Sequence, residues 1–127
     1  MRDVSPARNR GIYLLGHLTA VHDRMLALLR FQGVMYPELD KPFLDEADKV
    51  ATDLPSVAQL RQQWKTVNDT LMTHIKGLPA AEWFTRHASV SEEDFAKEPH
   101  RNRLNVLLSR TSHLAYHRGQ LVLLADK

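Results

Sequence analysis

The 127-residue sequence predicts an all-α fold, an up-down helical bundle, and three observations carry that prediction. Three long stretches repeat apolar residues at helical spacing. No stretch alternates apolar and polar side chains as a half-buried strand does. An irregular connection from Gln32 to Pro55 separates the first two stretches and reads as a crossover.

The first helix is expected from Ala7 to Phe31. Leu14, Leu18, Val21, Met25 and Leu28 form one apolar face, and Leu29 widens it. Gly33 and Pro37 are the expected stop signals. His17 lies beside this stripe, on the line Tyr13, His17, Val21, Arg24. His22 lies roughly 140° from His17 at about 100° per residue, so one ion could hardly use both.

In the crossover, Tyr36-Pro37 and Lys41-Pro42 mark turns, and Asp45-Glu46-Ala47-Asp48 suggests at most a short helix. A second long helix follows from Ser56 to Lys76, with Ser56 as its N-cap. Val57, Leu60, Trp64, Val67, Leu71 and Ile75 give it a clean helical period. Gly77 ends it, and Pro79 opens a short segment reaching Arg86. His87 to Pro99 reads as loop with a brief helical start at Ser91-Glu92-Glu93-Asp94.

The last helix is expected from His100 to Ala125. Its main stripe is Leu104, Leu107, Leu108, Thr111, Leu114, Ala115, Leu121 and Val122, broadened by Val106 and Leu124. An arc of roughly 200° exceeds what one surface helix needs, which suggests burial on two sides. His113 and His117 are placed at the edge of this arc.

His113 and His117 are one helical turn apart on one face, so both imidazoles can reach one divalent ion. Spacing alone is weak evidence. Seven histidines placed at random in this chain give about 0.4 such pairs, and the plain alternative is two helix-face rings bonded to neighbours. Two facts strengthen the metal reading. Both rings border apolar surface, where an uncompensated imidazole is costly. His17 occupies the matching edge of another core helix, as bundle metal ligands do. Among the other histidines, His22 reads as a core-edge or supporting residue, and His74, His87 and His100 as surface residues. Tyr13 and Gln120 could orient a ligand or bound water, though packing or solvation is the favoured reading of both. Trp64 and Trp83 read as core or interface aromatics. Glu92, Glu93 and Asp94 read as a solvated helix start.

Gly16-His17-Leu18 with His22-Asp23-Arg24-Met25-Leu26, and later His113-Leu114-Ala115-Tyr116-His117-Arg118-Gly119-Gln120-Leu121, resemble two segments of the DinB-like (DinB/YfiT) superfamily of metalloproteins. The second matches that superfamily's last-helix signature, H-x-x-x-H-x-G-Q. The two segments cover about a quarter of the chain. The resemblance implies a four-helix bundle, usually dimeric, with a divalent ion, nickel or zinc, on His17, His113 and His117. It also implies thiol-dependent transferase or isomerase chemistry with small thiols such as bacillithiol, mycothiol or glutathione. Members normally carry a long helix ahead of the first histidine, whereas only a short stretch precedes it here. The expectation is therefore a homo-oligomer in which a second chain covers the gap.

Composition narrows the remaining classes. The absence of cysteine excludes disulfides and thiolate ligands. There is no apolar run long enough for a transmembrane helix. Met1-Arg2-Asp3-Val4-Ser5-Pro6 lacks a signal-peptide core, which favours the cytoplasm. The net charge is only +2, and the arginines are scattered rather than gathered in a stripe with stacking aromatics, which argues against nucleic acid. The chain reads as a single domain spanning residues 1–127. Its expected role is a metal-dependent thiol transferase, hydrolase or isomerase acting on a small molecule. The alternative is a non-enzymatic metal-binding or stress-related bundle that serves as a dimeric scaffold.

Overall fold

The computed structural model describes residues 10–48 and 53–123. These residues are all-α, with no strand among them. Four α-helices, α1 (Gly11–Leu28), α2 (Val57–Gly77), α3 (Glu92–Lys97) and α4 (Arg103–Val122), alternate with short turns. The turns are 3₁₀ at Pro37–Leu39 and Ala80–Phe84, and one π-type turn at Lys41–Asp45. The expected beginning of the first helix at Ala7 and end of the last at Ala125, with Leu124, lie outside the described residues.

Helix α1 is the centre of the molecule. It packs on α2, on α4 and on the Pro37–Asp45 segment, while α2 and α4 make no close backbone approach to each other. Residues all round α1 are buried, from Gly11 and Tyr13 to Met25 and Leu26, rather than one stripe alone. Two apolar clusters surround it. One joins Met25, Leu26 and Leu29 to Val67 and Leu71 of α2 and Val106 of α4. The other joins Tyr13 and Ala20 to Leu39, Phe43 and Leu60. Each fully buried leucine or phenylalanine contributes about 1.5–3 kcal/mol to this packing.

Several ends differ from expectation. Gly33 does not stop α1. Leu29 closes the helix, and Arg30 takes the left-handed conformation that usually falls to glycine, with φ 63°. The Phe31 N–H then donates back to the Leu26 carbonyl. The connection is held to α1 by Asp23, which is buried and accepts from the backbone N–H groups of Met35 (2.8 Å) and Tyr36 (2.6 Å). Ser56 caps α2 as expected. Its hydroxyl accepts from Gln59 N while the Gln59 side chain accepts from Ser56 N, a reciprocal capping box. Ser91 likewise caps α3. Helix α4 starts at Arg103, not His100, because the Asn102 side chain accepts from Asn105 N at 2.8 Å and an isolated bridge pairs Asn102 with Arg86.

The face that α4 turns inward also differs from expectation. Its buried residues are Arg103, Val106 and His117, with Arg110 and His113 partly covered between them. Thr111 and Ala115 of the expected stripe are exposed, as are Leu108 at 58% and Val122 at 62%. The inward face is rotated by about one residue, roughly 100°, from the leucine-rich arc. His113 and His117 therefore sit in the middle of the contact with α1, not at its edge. Among the described residues, α4 is not buried on two sides.

Candidate metal centre

Helices α1 and α4 bring His17, His113 and His117 together at their contact. One ring nitrogen from each lies within 4.8 Å of the others, an arrangement that could hold a metal ion. The convergent atoms are the three Nε2 nitrogens. His113 Nε2 is 3.3 Å from that of His17 and 3.1 Å from that of His117. Two nitrogens bound to one tetrahedral ion at about 2.0–2.1 Å are themselves about 3.3 Å apart. Both separations from His113 match that value.

Hydrogen bonds on the far side of the His17 and His117 rings fix the tautomers of those two. His17 Nδ1 faces the Phe43 carbonyl at 2.9 Å. A carbonyl only accepts, so Nδ1 carries the proton and Nε2 is a lone pair. His117 Nδ1 faces Gln120 Oε1 at 2.5 Å, with the same consequence. His113 therefore meets two lone pairs. If its own Nε2 carries a proton, that proton must serve both neighbours while its Nδ1 remains a bare acceptor. If Nδ1 carries the proton, three lone pairs converge. In either case Nδ1 is buried with no partner. The trio lacks one positive centre, and a divalent cation fits that lack.

Electrostatics point the same way. Burial pushes the His113 imidazole down to about 4 from its ordinary 6.5, assisted by His117, His17, Arg110 and His22. Burial also lowers His17, against the Phe43 hydrogen bond that raises it. Neutral rings are the metal-binding form. The charges acting on these two rings come from histidines and Arg110, and no carboxylate is among them.

The local sequence explains the placement. Gly16 leaves room for the Phe43 ring, which lies where a Cβ at that position would fall. Tyr13, one turn before His17, stacks on its ring with centroids 6.0 Å apart and planes within 10°. The Tyr13 hydroxyl donates to the Glu46 carbonyl at 2.8 Å, so Tyr13 braces the ring from the side. Gln120, three residues after His117 on α4, receives the His117 ring proton.

His22 stands apart from the three. Its Nδ1 faces Asn68 Oδ1 at 2.8 Å, and its ring leans on Trp64 with centroids 4.9 Å apart. His74 stacks on Phe31 and His100 is exposed. Sequence reasoning had no signal for Phe43, because its contribution is a backbone carbonyl delivered by the crossover. It also passed over Arg110, whose only visible mark is its place one turn before His113.

No helix among the described residues is long and apolar enough to cross a membrane. Comparison of the chain with known protein families and with curated proteins gave no match.

Proposed function

We propose that this chain is a divalent-metal protein of the DinB/YfiT kind, whose ion on His17, His113 and His117 acts on a small molecule. The observation that carries this reading is the convergence of three Nε2 nitrogens at metal-ligand spacing, two of them with their lone pairs fixed inward. Nickel and zinc both suit an all-imidazole set. When bound, such an ion supplies Lewis acidity, polarising a carbonyl and lowering the pKa of a water or thiol.

The chain's own residues have separate tasks. The Phe43 carbonyl and Gln120 hold the rings of His17 and His117 by their Nδ1 protons. The packing of α1 against α4 buries the rings of His17 and His113 and favours their neutral form. Arg110 adds positive charge beside the trio and favours an anionic substrate. The reaction class is thiol transfer, hydrolysis or isomerisation of a small electrophile.

A non-enzymatic scaffold with a structural ion is the second reading. Structural zinc normally takes four protein ligands. The cluster holds three among the described residues, which favours a site with room for a substrate.

The exposed outer face of α4 supports a homodimer. Leu108, Ala115 and Val122 follow one another at seven-residue spacing, the repeat that pairs helices, and all three are exposed. A monodisperse monomer in light scattering at micromolar concentration overturns the dimer.

Elemental analysis of the purified protein tests the metal. Wild type is expected to carry close to one ion per chain, and the double variant His113→Ala, His117→Ala almost none. Apo protein titrated with zinc or nickel guards against loss during purification. Equal, substoichiometric metal in both proteins overturns the proposal.

A further inference from the structure

The seam between α1 and α4 that holds the histidine trio continues into a cavity of about 390 Å³. On α1 its lining begins at Val21, one turn after His17, and runs on through Arg24 and Met25. The crossover contributes Val34 and Asp40, and the loop before α3 contributes Ala88. Helix α4 contributes Arg110, one turn before His113, and no other residue. Arg110 therefore reaches the cavity by the length of its side chain.

The charge in this lining is positive, and part of it is uncommitted. Arg24 is held by Asp40: its Nε and Nη2 both donate to Asp40 Oδ2, at 3.0 and 2.6 Å. Asp40 is the only carboxylate in the lining. Arg110 is partly buried and open to solvent, and its guanidinium has no hydrogen bond or ion pair among the described residues. Two guanidiniums against one carboxylate leave one positive charge over. Most of the remaining lining is apolar, Val21, Met25 and Val34 included. A cleft of roughly 300–1,000 Å³, apolar with a few placed polar groups, is the usual form of a small-molecule site.

We infer that this cavity binds a small organic acid with an apolar body: the carboxylate is received by Arg110, with Arg24 beside it, and the body lies on Val21, Met25 and Val34. This rests on the proposed metal reading only for its meaning as a substrate site; the binding itself requires no ion. At a rise of about 1.5 Å per residue, Arg110 stands about 4.5 Å along α4 from His113. The acid group is thus held beside the trio without being one of its partners. Arg110 also borders the groove between α2 and α4. That groove has no second arginine or lysine in its lining, so an anion is drawn to the side where Arg24 stands.

The probes are hexanoate, hexanamide, which lacks the charge, and acetate, which lacks the apolar body. Metal-free protein is titrated with each and followed by the arginine Nε–H resonances in NMR. Wild type is expected to prefer hexanoate over both others by at least about fivefold, with the Arg110 resonance moving. Arg110→Met is expected to weaken hexanoate by about tenfold or more, the ordinary worth of a charge-assisted hydrogen bond. Asp40→Asn removes the only carboxylate of the lining, so hexanoate should bind about two- to fivefold tighter and hexanamide no differently. Ala88→Phe fills the cavity and should abolish hexanoate binding. Met72→Phe, in the groove between α2 and α4, should leave it unchanged. Circular dichroism melts confirm that each variant is folded, and if Arg110→Met is not, the Asp40 and Ala88 variants decide. Wild type that binds none of the probes, or hexanoate and hexanamide equally, overturns the inference. Hexanoate binding indifferent to Arg110→Met or to Ala88→Phe, or lost in Met72→Phe, overturns it as well. Cobalt(II) absorption on separate samples of the same proteins distinguishes the two proposals. If wild type takes no cobalt but still selects hexanoate, the metal reading fails and the cavity stands. If cobalt binds and hexanoate does not, the reverse holds.

Discussion

Phe43 serves His17 twice, through its ring and through its carbonyl. The ring fills the space above Gly16 that a Cβ would take, and the carbonyl oxygen receives the His17 Nδ1 proton at 2.9 Å. The tight turn at Lys41–Asp45 is thereby locked to α1 at the residue preceding His17.

Gly16→Ala is therefore expected to act on metal binding as well as on stability. The added methyl must push Phe43 outward, an overpacking that costs about 1–3 kcal/mol. The carbonyl moves with the ring, and His17 loses its anchor. Urea unfolding should show the stability loss. Cobalt(II) titration of the folded variant should show weaker binding, whereas an alanine tolerated with unchanged affinity contradicts the coupling.

Gln120→Leu removes the acceptor for the His117 proton while leaving all three ligands in place. Partners of this kind are worth about 10–100-fold in metal affinity. Gln120→Glu retains an acceptor oxygen and should recover most of that loss. Competition against a chromophoric chelator measures both.

The buried histidines make stability depend on pH with a definite sign. His113 in the folded protein protonates near 4, while in the unfolded chain it protonates near 6.5. Between these values the unfolded state binds more protons, so stability falls with falling pH. The contribution is complete above about pH 6.5 and is lost by about pH 4. His17, also lowered, adds in the same direction. A melting temperature of the metal-free protein that stays flat from pH 7 to 4.5 contradicts this, and His113→Phe should reduce the slope.

Asp23→Asn tests the fastening of the crossover. Each carboxylate oxygen of Asp23 accepts one backbone N–H, from Met35 and from Tyr36. The amide turns an NH₂ group toward one of these donors and leaves it unsatisfied. A loss of about 2–3 kcal/mol follows for a buried, charge-assisted bond. Hydrogen exchange at Met35 and Tyr36 should accelerate before exchange at α2 does.

The sequence carried the two histidines of α4 because their relation is local: a helix fixes it whatever surrounds it. His17 was legible from helical phase once both helices were assigned. The inward face of α4 was not. Leucine count favours the arc through Leu104, Leu108 and Ala115, but contact with α1 is made by Val106, His113 and His117, so polarity counted against residues that the site requires inside. Phe43 and Asp23 were illegible for another reason. Phe43 lies in, and Asp23 bonds to, a connection whose path has no period, and the Phe43 contact with His17 is through a carbonyl that every residue possesses. The cap at Ser56 was readable, whereas the left-handed turn at Arg30 was not, because nothing in an arginine announces that conformation.

The chain separation between His17 and His113 is 96 residues. An ion shared by them would act as a cross-link between the two ends of the fold, closing a loop of nearly the whole described chain. Closing a loop of about 100 residues removes chain entropy from the unfolded state worth about 4–5 kcal/mol. In a protein without cysteine, a bond through imidazole nitrogen would then do the work that sulfur does elsewhere, reversible by a chelator instead of a reductant.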